Sequence, residues 1–317
     1  MDIVACTDKR FVMPTGVMMY SVCCNNQDVD IVFHVVCSND VSDQDKKDLS
    51  GEIQKFNGKS IEFYHIDNRF LESIPEIDYC PTLTITTYFR LFLPEILPDS
   101  IEKVLYLDGD IIVQNSLLPL WELPMADFSV AAASDIVEVE PQNFDRLGYP
   151  MQKGYFNAGV LLINLEWWRR NNCQKTFIEL IKDGDYLYHD QDVLNLVFYD
   201  TKYHLPLKYN LTADFMYKSP KLDNSKYEAE IEDALKNAFI IHYTTREKPW
   251  FKYKRNPHPL ENIFFKYQKN TVWKGRKYDY RTPKLKLINF IADMMRCLGL
   301  KPHNQILEVR DLSMINS

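Results

Sequence analysis

The chain lacks the cysteine spacing of a zinc knuckle or a disulfide framework. Its seven cysteines (Cys6, Cys23, Cys24, Cys37, Cys80, Cys173, Cys297) are odd in number, include no C-x-x-C pair, and several stand in apolar runs where the residue acts as a small hydrophobe. No uninterrupted apolar run reaches about 18 residues, so no spanning helix is expected. Met1-Asp2-Ile3-Val4 enters a strand at once, leaving no room for a signal peptide, and the expectation is a cytoplasmic protein. An excess of positive charge is also missing. A net charge of −7 and a pI near 5.6 argue against nucleic acid as the main partner. No internal repeat or low-complexity segment is evident.

What is present is a core. At 317 residues, 46% hydrophobic and 13% aromatic, the chain is long enough for one large α/β domain with a smaller appendage. The charge is unevenly spread. Arg246 to Lys286 holds thirteen Lys/Arg against Glu247, Glu261 and Asp279, a local +10, so the remainder carries −17. An acidic body with a basic, aromatic C-terminal segment points to a membrane surface or an anionic ligand on that side, or to a solvated basic face. The expected division is 1–250 for the main domain and 251–317 for the basic extension. Within the extension, Lys284–Leu298 reads as an apolar helix with basic flanks, too short and too charged (Asp293, Arg296) to span. It fits a helix lying in a membrane interface or docked on its own domain.

Apolar runs alternate with helical patterns through the first half. Ile3–Cys6, Ile31–Cys37, Ser60–His65 and Lys103–Leu107 read as strands. Pro14–Cys24, a helix opened by Ser42 with Asp45 three residues on, and Thr84–Leu93 stopped by Pro94 read as the helices between them. This order predicts a mostly parallel sheet flanked by helices, with ligands beyond the carboxyl ends of its strands. The second half is mixed: strands at Phe128–Ser134, Gly159–Ile163 and Phe239–Tyr243, helices at Glu166–Ile181 and Asp192–Tyr199.

Chemistry concentrates where apolar runs end. V-L-Y-L stops at Asp108-Gly109-Asp110, an oxygen-rich notch of the kind hard divalent cations favour, with a Gly that lets the backbone approach a ligand. Taken alone, the triplet reads equally well as an ordinary turn. Phe156-Asn157-Ala158-Gly159 precedes a buried strand. His189-Asp190-Gln191-Asp192 opens a helix, where free N–H groups meet anions or hydroxyls, or where Asp190 serves only as a cap. His242 ends an apolar run; it is a core histidine or, beside carboxylates, a metal ligand. Arg90 on an apolar helix needs an anion, either a structural carboxylate or a ligand phosphate.

Together, the segments M-D-I-V-A-C-T-D, I-T-T-Y-F-R-L, K-V-L-Y-L-D-G-D, Y-F-N-A-G-V-L-L-I-N-L, H-D-Q-D-V-L-N and H-Y-T-T-R-E-K-P-W, over about residues 1–250, closely resemble glycosyltransferase family 8. These are retaining enzymes that include bacterial lipopolysaccharide and lipooligosaccharide galactosyl- and glucosyltransferases, the members this sequence is most similar to. The resemblance implies a GT-A fold, a Rossmann-like sheet merged with an acceptor-side part. It implies that Asp108, Asp110 and His242 ligate Mn²⁺ (or Mg²⁺) and that the donor is a UDP-hexose. Thr7, Asp8 and Arg10 would face the uridine and Phe11 would stack on uracil. Arg90, Asn157, Ala158, Asp190 and Gln191 would surround the donor sugar, with Asp190 and Gln191 catalytic. Gly109, Thr245 and Lys248 would lie along the diphosphate and Asp135 on the acceptor side.

Two departures from the family pattern stand out. Thr245 occupies a position where the family commonly has Gly, and Arg10 replaces a smaller polar residue. Gln191 is a poor nucleophile, which favours a front-face route in which the leaving phosphate helps deprotonate the acceptor. The acceptor is expected to be a glycan or lipid-linked hydroxyl, with peripheral contact to the inner membrane face through the C-terminal segment. Two alternatives remain. A haloacid-dehalogenase-type phosphatase also ends a strand in D-x-D, though usually on its first strand and with Thr or Val where this chain has Ile112. A non-catalytic UDP-sugar-binding protein would bind without turnover.

Overall fold

A computed structural model describes residues 1–75, 84–184, 186–218, 225–254, 256–298, 308–313 and 315; Cys80 lies outside the described residues. The first half follows the expected alternation: β1 (Asp2–Thr7), α1 (Val12–Asn25), β2 (Ile31–Cys37), α2 (Asp43–Ile53), β3 (Lys59–His65) and β4 (Lys103–Leu107). The start of α2 is fixed by the anticipated reciprocal cap, with Ser42 accepting from the Asp45 N–H and Asp45 accepting from the Ser42 N–H. Then come β5 (Ile111–Val113), β6 (Val130–Ala133), β7 (Val160–Asn164), α3 (His189–Phe198), β8 (Lys202–Leu205), β9 (Leu211–Thr212), β10 (Ile240–His242), α4 (Glu261–Gln268) and α5 (Pro283–Cys297).

Seven strands form one sheet in the order β3-β2-β1-β4-β7-β6-β8. All pairings are parallel except those of β7, which runs antiparallel to both β4 and β6. Alternate residues along β1, β4 and β7 enter different cores. Ile3, Leu105 and Leu162 pack on one face, and Val4, Val104 and Leu161 on the other. A doubly covered sheet of this kind explains why its strands read as nearly continuous apolar runs. This α/β architecture is the GT-A arrangement anticipated from the sequence.

A second, three-stranded sheet, β5-β10-β9, was not anticipated as a unit. Asp108-Gly109-Asp110 is therefore the corner at which the chain leaves the large sheet and enters the small one.

Other elements differ from expectation for local reasons. Ile85–Phe92 is a 3₁₀ helix rather than an α-helix, consistent with its three leading β-branched residues. Pro94 does not end it but sits in the first turn of the next short helix, Leu93–Ile96, where a missing N–H costs nothing. The expected helix over Glu166–Ile181 is broken at Asn171-Asn172, Asn172 taking a left-handed φ of 50°. α3 begins three residues earlier than expected, placing the whole H-D-Q-D motif in its first turn.

Beyond residue 250 the packing is continuous with the core. Leu260, Ile263, Phe264 and Trp273 belong to the same buried cluster as α1, and Trp273 lies where a Cβ on Gly16 would stand. α5 differs from these segments, since of its residues only Ala292 is buried.

Candidate active site

The metal-ligating geometry follows from strand register. β5 and β10 pair antiparallel with His242 opposite Ile111, and the Tyr243 N–H donates to the Asp110 carbonyl at 2.9 Å. This brings His242 beside Asp108 and Asp110, far away in sequence. Its Nε2 lies 3.2 Å from Asp110 Oδ1 and 3.8 Å from Asp108 Oδ2. Ligand atoms of Asp108, Asp110 and His242 all lie within 4.8 Å of one another, the one such group among the described residues. Two carboxylates and an imidazole suit Mn²⁺ or Mg²⁺. The Asp108 N–H donates to the Gly159 carbonyl, and a Cβ on Gly159 would fall 2.2 Å from His242 Cε1 and 2.8 Å from Asp108 Oδ2. The glycine thus leaves the room that the ligand atoms occupy, and the residues present fit a divalent cation.

Three charges frame this group. Lys248 is buried and donates to Asp110 Oδ2 at 2.7 Å and to the Tyr243 carbonyl at 2.6 Å. Burial alone would raise the Asp110 carboxyl, but Lys248 and His242 outweigh it and hold the group well below the usual carboxylate range. On the other side Arg90, also buried, lies 3.1 Å from Asp108 and 2.9 Å from Asp190. It stacks over Tyr106 at 4.4 Å and donates to the Ala158 carbonyl. The anion that Arg90 requires is therefore this pair of protein carboxylates. Asp190 also accepts from Thr87, and burial pushes its carboxyl upward against the opposing Arg90 charge.

The remaining predicted residues fall around this centre. Asp8 Oδ1 accepts from the Arg10 and Phe11 N–H groups, closing the turn between β1 and α1. That turn places Phe11 in the cleft that also contains Arg90 and Asp108 to Asp110. Thr7 is fully buried and accepts from Thr15, whose hydroxyl would meet a Cβ on Gly109 at 2.4 Å. The Arg10 guanidinium turns back to Asp8 at 3.5 Å. Thr245 donates to the Glu247 carbonyl within its own loop.

On the far side, Asp135 Oδ2 accepts from Asn157 at 2.7 Å and from Gln191 Nε2 at 3.3 Å, while Gln191 Oε1 accepts from the Ala158 N–H at 2.9 Å. The metal-type ligands, the buried charges of Arg90, Asp190 and Lys248, and the Asp135–Asn157–Gln191 group thus occupy one connected cluster beyond the strand ends.

A family model for glycosyl transferase family 8 matches residues 2–254. The chain belongs to glycosyltransferase family 8. It is an enzyme, a retaining hexosyltransferase that uses a sugar-nucleotide donor and a glycan acceptor. General stress protein A of Bacillus subtilis is 30% identical over 279 residues, covering 86% of this chain and 94% of that one. A lipopolysaccharide 1,3-galactosyltransferase of Salmonella typhimurium is 29% identical over 84% of this chain and 77% of its own. The galactosyltransferase LgtC, solved with donor and acceptor sugar analogs, superposes with a TM-score of 0.74 at 29% identity, covering 87% of this chain and 99% of its own. The phosphatase alternative finds no support in this family match, and its D-x-D would belong on β1 rather than after β4.

Several residues around this family 8 site were given no role from the sequence, although Tyr106, Tyr155 and Asp192 lie within its motif segments. Tyr106 donates to Asp108 at 2.8 Å, and Asn210 meets His242 Nδ1 at 2.9 Å. Asp192, fully buried, receives both Arg146 Nη atoms (2.6 and 3.0 Å), the Tyr155 hydroxyl (2.8 Å) and the Tyr188 N–H (2.9 Å), which anchors the first turn of α3. Tyr155 also receives Gln191 Nε2 at 3.3 Å. The tyrosines read as core because their rings are core; only the hydroxyls belong to the site.

Proposed function

We propose that the enzyme transfers a hexose, galactose or glucose, from UDP to a hydroxyl of a cell-surface glycan such as a lipopolysaccharide core, with Mn²⁺ held by Asp108, Asp110 and His242. The observation that carries this reading is that ligand group, its Asp110 and His242 buried, beside Lys248 at the seam of the two sheets. When bound, the cation would neutralise charge developing on the leaving diphosphate. Lys248 supplies a fixed positive charge at the same place, and Arg90 fixes Asp108 and Asp190 relative to each other.

The hydrogen bonds of Gln191 support a front-face route. Flipping its amide would set its NH₂ against the Ala158 N–H and its oxygen against Asp135, so its carbonyl stays committed to Ala158. Asp190 is likewise held, by Arg90 and Thr87. In the step proposed, the acceptor oxygen bonds to the anomeric carbon as the bond to the UDP phosphate oxygen breaks, and the acceptor proton passes to that phosphate oxygen. Trapping a covalent glycosyl-enzyme at Asp190 or Gln191 would overturn this route. The decisive assay for the function is metal-dependent UDP release across UDP-sugars and glycan acceptors, with a chelator control. Asp110→Asn should lower turnover about 100-fold or more; wild-type turnover in that variant with metal present would refute the metal assignment.

The same reading places the enzyme in the cytoplasm, against the inner membrane face where lipid-linked acceptors lie. No helix among the described residues is long and apolar enough to cross a membrane. α5 nevertheless exposes Leu287 (60%) and Phe290 (67%) beside the basic segment, a combination suited to an anionic lipid surface. Phe290→Asp with Leu287→Asp should abolish binding to anionic vesicles while leaving UDP binding intact; unchanged vesicle binding would refute this part.

A further inference from the structure

We propose that Asn210 and Asn157 form a one-way hydrogen-bond relay joining the metal-ligating His242 to the acceptor-side carboxylate Asp135, so that Asn210 is a positioning residue for both halves of the reaction. The proposal rests on the function argued above for its meaning, but its geometry stands independently.

The relay has three links. His242 Nδ1 lies 2.9 Å from Asn210 Oδ1, Asn210 Nδ2 donates to Asn157 Oδ1 at 2.8 Å, and Asn157 Nδ2 donates to Asp135 Oδ2 at 2.7 Å. All four side chains are at most 9% exposed, and Asn210 is fully buried. Water therefore has little opportunity to substitute for any link, and each donor or acceptor left unmet would carry its desolvation penalty.

The direction of the chain is set at one end. An ionised carboxylate only accepts, so Asn157 must turn its NH₂ toward Asp135. Its oxygen then faces the other way, where the Gly159 N–H (2.9 Å) and the Asn210 NH₂ both donate to it. Asn210 must consequently present its own oxygen to His242. An imidazole nitrogen facing a carbonyl oxygen carries a proton, so His242 donates through Nδ1, and Nε2 is left as the nitrogen turned toward Asp108 and Asp110, the side from which it would ligate a cation. Asp135 and the Gly159 N–H thus fix, through two intervening amides, which nitrogen of a metal ligand is held as a donor.

Asp135 is independently anchored, its Oδ1 accepting from the Val137 N–H at 3.0 Å and its own N–H donating to the Tyr155 carbonyl. It cannot swing to follow Asn157; the relay must come to it. Neither alternative at position 210 reproduces the chain. Aspartate would set an acceptor against Asn157 Oδ1, and leucine would take the acceptor from His242 Nδ1 and leave Asn157 Oδ1 with the Gly159 N–H alone. The coupling works in both directions: cation binding at Nε2 strengthens Nδ1–H as a donor, and Asp135 orients Gln191 as well as Asn157.

The test uses the full chain labelled with ¹⁵N-histidine, free of metal and sugar. Long-range ¹H–¹⁵N spectra should show His242 with Nδ1 protonated. Asn210→Leu should remove that preference for a proton on Nδ1 and weaken Mn²⁺ binding, measured with UDP by calorimetry, about 10- to 100-fold. The decisive variant is Asn157→Leu, which removes the oxygen that orients Asn210 and itself makes no hydrogen bond to His242. It should also relax the preference for a proton on Nδ1 and weaken Mn²⁺, whereas a merely local structural role predicts no change at His242. Nδ1 of His242 remaining fully protonated in both variants, or unaltered Mn²⁺ affinity, would overturn the relay. Failure of wild-type UDP release would sink the proposed function alone, because the Nδ1 proton is read without turnover.

Discussion

Replacing Arg90 with methionine isolates the charge at the centre of the site, because the new side chain keeps most of the apolar stem. The guanidinium is 5% exposed and lies within 3.1 Å of Asp108 and 2.9 Å of Asp190. At an effective dielectric of about 20, each contact has a gross attraction of roughly 5 kcal/mol, most of it offset by desolvation. Stranding a buried partner is the larger effect, typically about 3–5 kcal/mol. The two carboxylates do not suffer equally. Asp108 is 24% exposed and keeps the Tyr106 hydroxyl, whereas Asp190 is 4% exposed and keeps only Thr87. The expected loss is about 4 kcal/mol at neutral pH, or about 8 °C in Tm at roughly 2 °C per kcal/mol.

The pH dependence carries the sharper test. The Asp190 carboxyl is already raised by burial, with Arg90 opposing that rise, and removing Arg90 raises it further. A carboxyl whose folded pKa exceeds its unfolded value contributes stability below the unfolded pKa and loses it as pH rises through the folded one. The deficit of Arg90→Met should therefore shrink as pH falls from 7 toward about 4, followed by urea midpoints or thermal melts, and Asp190→Asn in the same background should remove that slope. A deficit under about 1 kcal/mol, or one constant with pH, would mean that these pairs behave as screened surface contacts.

Gly159→Ala should weaken Mn²⁺ binding at least about tenfold, because its Cβ would fall 2.2 Å from His242 Cε1 and the ligands must separate; calorimetry with UDP measures it, and wild-type affinity would show that the glycine is not required. His258, packed 4.6 Å from the Tyr243 ring, has its imidazole pushed down from 6.5 to about 3, chiefly by burial. Its contribution to stability is present above pH 6.5 and lost as pH falls through that window, by about 5 kcal/mol at most. His258→Phe should flatten the acid limb of the stability profile, and an unchanged limb would assign acid sensitivity elsewhere.

How much of this was legible in the sequence depended on whether the signal was local. β1 to β4 declare themselves because each is an apolar run bounded by turn residues, and Ser42 with Asp45 marks the start of α2 in four residues. The Asp108 triplet and the H-D-Q-D turn were visible for the same reason: polar groups stop an apolar pattern. Asn210 was not, since an asparagine after P-L-K-Y is indistinguishable from any loop asparagine until β9 and β10 carry it beside His242. β5 and β9, of three and two residues, fall below any periodicity that a window can detect. Arg90 was recognised as needing an anion, but which anion depended on the fold of Tyr106, Asp108 and Asp190 around it. Strand existence is a property of neighbours in sequence; the site is a property of register between strands 130 residues apart.

That register also bears on how such an enzyme can diverge. Only three residue pairs hold β5 against β10, and a slip of one would turn the His242 side chain to the opposite face of its strand. Between these two strands lie residues 114 to 239, including Asp135 and Gln191. Insertions into the surface turns of that stretch change the chain length without touching the ladder. On the function proposed above, acceptor preference can therefore drift by loop exchange while the Asp108–Asp110–His242 group keeps its shape, whereas a single residue inserted within Ile111–Val113 or Ile240–His242 would pull that group apart.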